Sequence, residues 1–327
     1  MSHDETRPHM TTQTPKAPAT SPDEPTTETR RRPPEVPRWR RKLRPYLLSI
    51  PALVIVIGIL YPFAVGAYYA FLNYAAVNPD PHFVWFQNFG SVLGDQVFWK
   101  SVQVTVTFAV AATAVETALG VGLALLLNRS SIIGKIFEKV LILPLMIAPV
   151  IAGVIWKLMF NPQFGVLNHV LGLGNTFDWL SAGNALFSVI LVDVWIFTPF
   201  VAILVLAGIR SLPKEPFEAS EVDGANWFYM FRKLMLPMLW PYILVAVIFR
   251  FMDNLKVFDH IYVLTAGGPG VATRSLQIGA FEDSIINLDY SRGSTYMLLL
   301  WIIVFITARY LVSVLGKAQR RAAGAES

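Results

Sequence analysis

The chain has 327 residues, 54% of them hydrophobic and only 15% charged, against about 25% charged in an average soluble domain, so lipid is the expected main solvent. It has no cysteine, which excludes a disulfide framework and a thiolate metal site, and its five histidines (His3, His9, His82, His169 and His260) show no metal-ligand spacing. The formal charge of +5 does not point to nucleic acid, because Lys and Arg flank apolar runs instead of forming one stripe.

Residues 1–37 are rich in Pro and Thr and nearly devoid of apolar side chains. Such a segment cannot bury enough surface to offset its ordering entropy, so a disordered tail is expected there. Six apolar runs follow, near 46–72, 101–127, 138–160, 185–211, 239–258 and 294–316, each long enough to supply the roughly 20 apolar residues of a spanning helix. The first run is too long for a signal-peptide h-region and lacks a small-residue cleavage site. The fifth is the weakest, interrupted by Arg250, Asp253 and Lys256.

Lys and Arg crowd before run one, between runs two and three, between runs four and five, and after run six. The opposite side carries only Lys100, Lys157, Arg274 and Arg292. The positive-inside bias places both termini in the cytoplasm. The expected fold class is therefore all-α integral membrane: six transmembrane helices over 38–321, both termini cytoplasmic, a cytoplasmic loop at 212–237, and a short C-terminal tail at 322–327. Trp85, Trp99, Trp156 and Trp179 fall near the expected interfaces, where amphipathic rings prefer to sit.

The loop before run five reads "LPKEPFEASEVDGANWFYMFRKLMLP". Pro213 and Pro216 suit a helix start, and Glu215, Glu218 and Glu221 lie where a helix dipole favours anions. Gly224 can adopt φ > 0 and end this short helix. A second helix is expected over the aromatic cluster Trp227, Phe228 and Phe231, with Arg232 and Lys233 near its end and Pro237 stopping it. By pattern the segment reads either as an amphipathic hairpin lying on the membrane or as a docking element for a groove in another protein.

Glu218-Ala219-Ser220, three residues, Gly224, nine residues, Leu234, one residue, then Leu236-Pro237 resembles the cytoplasmic signature of permease subunits of ATP-driven (ABC) importers, with Ser220 in place of a third alanine. "WFQNF" (85–89), "LPLMIAPVIAGVIWKLMFNPQFGVLN" (143–168), "WIFTPF" (195–200) and "FDHIYVLTAGGPGVATRSL" (258–276) are similar to the carbohydrate-uptake branch. The resemblance implies that Glu218, Ala219, Ser220, Asp223, Gly224, Leu236 and Pro237 couple the chain to an ATPase. It also implies two ATPase subunits holding ATP and Mg, a second homologous permease, an extracytoplasmic substrate-binding protein or lipoprotein, and residence in the bacterial inner membrane. The chain itself shows no G-x-x-x-x-G-K-[ST] loop, nucleophile elbow or H-E-x-x-H, so it is expected to be no enzyme and to bind no cofactor.

Ionisable groups inside spans are costly and by default functional. Arg250, Asp253, Asn254 and Val257 share one helix face, and Asp193, Phe197 and Phe200 share another. Carboxylates and amides bind hydroxyls while rings cover C–H faces, so Asp193, Phe197, Phe200, Arg250, Asp253 and Asn254 are the candidate pathway for a sugar, oligosaccharide or polyol. In related sugar permeases these two faces line the pathway. Arg250 also permits an anionic cargo such as glycerol phosphate. The competing reading is that Asp193 or Asp253 merely neutralises Arg250 in a structural ion pair. Glu116 is read as a lone packing acid outside the site. "GGPG" at 267–270 is expected to form a mobile turn or a plain exposed loop. A self-powered secondary carrier is the less favoured alternative, because no inverted repeat with interrupted helices is visible.

Overall fold

The computed structural model describes residues 38–78, 80–128, 132–174 and 176–322; the tail expected over 1–37 and the last five residues lie outside them. Helices α1 (Arg38–Tyr69), α2 (Gln87–Leu93), α3 (Gln96–Leu127), α4 (Ile132–Leu141) and α5 (Pro149–Met159) come first. Then follow α6 (Val166–Leu171), α7 (Ala185–Arg210), α8 (Glu215–Val222) and α9 (Trp227–Met230). The chain closes with α10 (Leu236–Asn254), α11 (Asp259–Thr265), α12 (Leu276–Phe281) and α13 (Tyr290–Ala322). Contacts divide the chain at Gly58, within α1. Among the described residues β structure is confined to two isolated bridges, Leu72 with Phe83 and Ala75 with Asn78.

Among the described residues, five helices are long and apolar enough to cross a membrane, and a bent pair makes up to six. The pair is the third apolar run. Instead of one straight span it folds as Gly134–Met146 and Pro149–Met159 at 96°. Pro144 opens a 3₁₀ turn and Pro149 opens α5, and neither can donate a backbone hydrogen bond to a continuous helix.

Helix α3 is the axis of the bundle. Ala109, Ala112, Glu116, Gly120 and Ala124 are buried along it, at the three- and four-residue spacing of one helix face. In lipid, helices associate by close packing and internal polar contacts more than by hydrophobic burial, so small residues mark their interfaces. A Cβ on Gly120 would stand 2.6 Å from Val201 Cγ1 of α7, which shows how closely the two helices pass. Below that crossing Val201, Val205 and Ile209 pack with Leu239 and Ile243 of α10. Toward the other end Phe108, Val192 and Ile196 pack with Ile261 and Leu264 of α11.

The loops on the α11–α12 side are tied down by polar contacts. Arg292 pairs with Asp95 and Asp283, Arg274 with Glu282 at 2.6 Å, and Lys157 Nζ donates to the Val263 carbonyl at 2.9 Å. The "GGPG" turn, expected to be mobile or plain, is braced by Thr273, whose Oγ1 donates to the Gly268 carbonyl at 3.0 Å and lies 2.6 Å from Thr265 Oγ1.

Candidate functional site

Two places gather the residues singled out by sequence. The first is the hairpin before α10. Pro216 sits in the first turn of α8 with Glu215 and Glu218. At its end the Ala225 N–H donates to the Ser220 carbonyl and the Gly224 N–H to the Glu221 carbonyl, both at 3.0 Å. This is a Schellman cap, with Gly224 at φ 78° in its left-handed position. The Ser220 hydroxyl donates back to the Pro216 carbonyl at 2.9 Å, so the serine that replaces alanine satisfies itself within the helix. Asn226 then caps α9 by accepting from the Tyr229 N–H at 2.8 Å.

Trp227 stacks on Phe231 at 5.5 Å and 6°, while Trp227, Phe228 and Tyr229 stay exposed. Glu218 and Glu221 line a cavity of about 580 Å³ together with Lys214, Phe217, Trp227 and Phe231. Ala219 and Asp223 are exposed beside it.

One expectation is corrected here. Pro237 does not stop the second helix. Residues Phe231–Met235 form a π turn and α10 continues from Leu236, so that Trp227–Asn254 runs as one 28-residue element. A π turn widens the backbone where the proline ring would meet the carbonyl four residues earlier. Leu236 and Pro237 therefore belong to the membrane helix; Leu236 packs on the α3–α7–α10 cluster.

The second place lies between the first half of α7 and the last turns of α10, beside α11. Arg250 is buried to 2% exposure. Its Nε donates to Glu116 Oε2 at 2.7 Å, and its Nη2 to Glu116 Oε1 at 2.9 Å, Asp193 Oδ2 at 3.0 Å and Asn254 Oδ1 at 2.7 Å. The guanidinium lies 3.8 Å from the centre of the Phe197 ring. Asn254 Nδ2 in turn donates to Thr113 Oγ1 at 3.1 Å. Asp253, 60% exposed, reaches Arg250 Nη1 only at 3.9 Å and Lys256 Nζ at 3.6 Å.

The cavity here holds about 270 Å³, and Asp193, Phe197, Arg250, Asp253 and Asn254 all line it. Lys256, Phe258, Asp259, His260 and Gln277 complete its polar wall. Burial, with Arg250 pressing the same way, pushes the His260 imidazole down to about 3, so it is neutral at physiological pH. His260 Nε2 and Asp193 Oδ1 face each other at 3.5 Å, each without a hydrogen bond among the described residues.

Phe200 is not brought to the cavity; its ring meets Phe249 edge-on at 6.4 Å and packs with the α3–α7–α10 cluster. Glu116, read as a lone packing acid, is instead the closest acid to Arg250. The signal was available: it sits in register with the small residues of α3, on the face that must meet another helix. Glu116 and Asp193 form the buried pair, while Asp253 stays on the cavity rim.

A bundle of membrane helices with a polar cavity near its middle and an exposed two-helix hairpin at one end is the architecture of a transport permease. The chain belongs to the family of binding-protein-dependent transport system inner membrane components, matched over residues 116–321. It is thus a multi-pass inner-membrane permease subunit of an ABC importer, a transport protein and not an enzyme. It is 37% identical over 280 residues, 83% of this chain and 90% of the relative, to a probable ABC transporter permease of Sinorhizobium fredii. It is 36% identical over 272 residues, 82% of this chain and 92% of the relative, to the trehalose/maltose transport system permease protein MalF of Thermococcus litoralis. The sn-glycerol-3-phosphate transport system permease protein UgpA of Agrobacterium fabrum is 31% identical over 274 residues, 80% of this chain and 91% of the relative. Its fold matches a chain in the crystal structure of a bacterial ABC transporter involved in the import of alginate, with a TM-score of 0.75 at 20% identity, over 86% of this chain and 99% of that one.

Proposed function

We propose that the chain is one of two permease subunits of an importer that moves a sugar, oligosaccharide or polyol into the cytoplasm by alternating access. The observation that carries this reading is the 270 Å³ cavity, walled by carboxylates, an amide and a guanidinium with the Phe197 and Phe258 rings beside them. Those groups suit a hydroxyl-rich solute, whose O–H groups need donors and acceptors and whose C–H faces need rings. The relative named for trehalose/maltose transport supports this cargo class.

Both termini and the α8–α9 hairpin face the cytoplasm. There Glu218, Ala219, Ser220, Asp223 and Gly224 seat in a partner ATPase, with Leu236 and Pro237 joining the hairpin to α10. Two ATPase subunits hold ATP and Mg; their closure moves the hairpin, and α10 carries that motion to Arg250, Asp253 and Asn254, because the hairpin's second arm, α9, and α10 are one element. A second, homologous permease closes the other half of the pathway, and an extracytoplasmic binding protein delivers the cargo.

Reconstitution into proteoliposomes with the partner permease, ATPase and binding protein tests this. ATP-driven accumulation of a labelled neutral sugar such as trehalose, drawn from a panel of sugars and polyols, is expected. Accumulation by the permeases alone, without ATPase subunits, would falsify the reading.

A further inference from the structure

Arg250 is the only fully buried cation among the described residues that line the cavity, yet most of its valence is already spent. Glu116 takes Nε and one Nη2 hydrogen, and Asp193 and Asn254 crowd the rest of Nη2. Phe197 covers one face of the guanidinium. Nη1 makes no hydrogen bond among the described residues; its nearest acid oxygen is Asp253 Oδ2 at 3.9 Å, too far for a direct bond. The Glu116 carboxylate thus offsets the guanidinium, and the edge left over lies at the cavity beside an exposed acid.

We propose that Glu116 is a positioning and specificity-determining residue: it locks Arg250 so that only Nη1 is offered to cargo, and its carboxylate cancels the charge that would attract an anion. This rests on the reading of the cavity as part of the cargo pathway. The consequence is a neutral cargo. A hydroxyl can accept from Arg250 Nη1 and donate to Asp253, filling a gap of bridging size. A carboxylate or phosphate entering the same place meets Asp253 and Asp259 at the rim and Glu116 and Asp193 behind the guanidinium. Glu116 cancels Arg250, and at the rim the acids Asp253 and Asp259 outnumber the base Lys256, so an anion meets like charge at close range.

The test compares glucose with glucuronate, which share a skeleton and differ by one carboxylate, as thermal stabilisers of the complete importer in nanodiscs at matched ionic strength. In the wild type glucuronate is expected to stabilise no better than glucose. In Glu116→Gln, which keeps Asp193 and Asn254 on Arg250 but removes one negative charge, apparent affinity for glucuronate is expected to rise about tenfold relative to glucose. Glu116→Asp should restore the wild-type order. A purely structural role for Glu116 would change the melting temperature of the empty importer without changing this preference. Should Glu116→Gln not assemble, Asp253→Asn removes an exposed rim carboxylate and carries the same comparison of glucuronate with glucose. A wild type stabilised more by glucuronate than by glucose overturns the proposal, as does an assembled variant that gains nothing for glucuronate. ATP-driven uptake of neutral sugars by the wild type is measured in parallel: if uptake holds and the charge preference does not move, only the role of Glu116 falls.

Discussion

Arg250 and Glu116, separated by 134 residues in sequence, meet edge to edge at 2.7 and 2.9 Å with neither side chain exposed by more than 2%. The pair joins α10 to α3, and Asp193 brings in α7. Removing the cation leaves two buried carboxylates unpaired, and breaking a buried pair from one side costs about 3–5 kcal/mol. Arg250→Met should therefore strongly lower the melting temperature of the assembled importer. Combined with Glu116→Gln, the loss should be smaller than with Arg250→Met alone, since the double variant leaves one acid unpaired instead of two. Strict additivity in a double-mutant cycle would show that the two residues do not interact.

Asp253 tells the opposite story. It is exposed on the cavity rim and its contacts to Arg250 and Lys256 are long, and such ion pairs contribute little stability. Asp253→Ala should assemble normally, within about 0.5 kcal/mol of wild type, yet reduce ATP-driven sugar uptake severalfold. Loss of assembly before loss of uptake would return Asp253 to a structural role.

The hairpin prediction turns on Gly224. Its φ of 78° is reached by residues with a Cβ at a cost of about 1–2 kcal/mol, although nothing would crowd that Cβ. Gly224→Pro is more severe, since proline cannot take positive φ and loses the donor to Glu221. Either this change or Glu218→Lys should leave membrane insertion and helix content intact while transport-coupled ATP turnover collapses. Unchanged turnover in both variants would remove the hairpin from the coupling route.

Packing makes a sharper demand at Gly120. A Cβ there would lie 2.6 Å from Val201 Cγ1 and 3.1 Å from the Ala202 backbone nitrogen, so α3 and α7 must part to admit it. Gly120→Val should cost at least the 1–3 kcal/mol typical of overpacking, seen as a lower melting temperature. Gly122, where an added Cβ meets open space, should tolerate alanine with little change.

The buried His260 gives a pH dependence of defined sign. In the folded protein it takes a proton only near pH 3, whereas in the unfolded chain it does so near the ordinary value of about 6.5. Between these values the unfolded state binds the extra proton, so stability falls as pH drops below about 6.5 and is independent of this group above it. The melting temperature of the wild type should decline from pH 7.5 to pH 5 more steeply than that of His260→Gln. Parallel slopes would mean that the imidazole is not held neutral.

Local chemistry determined much of this protein before any packing was considered. The six apolar runs, the polar hairpin with its Gly224 turn, and the sharing of one helix face by Asp193 and Phe197 and of another by Arg250, Asp253 and Asn254 follow from periodicity, composition and backbone preference, which are properties of neighbouring residues. Three features were decided elsewhere. Pro237 ends no helix, because a π turn accommodates it once α10 is anchored against α3 and α7. The third run breaks at 96°, although its prolines alone were equally compatible with a mild kink. Glu116 became the partner of Arg250, and Phe200 left the cavity, because which face of α3 or α7 meets α10 depends on close approach at sites such as Gly120. Periodicity assigns residues to faces; only contact between helices far apart in sequence assigns those faces to one another.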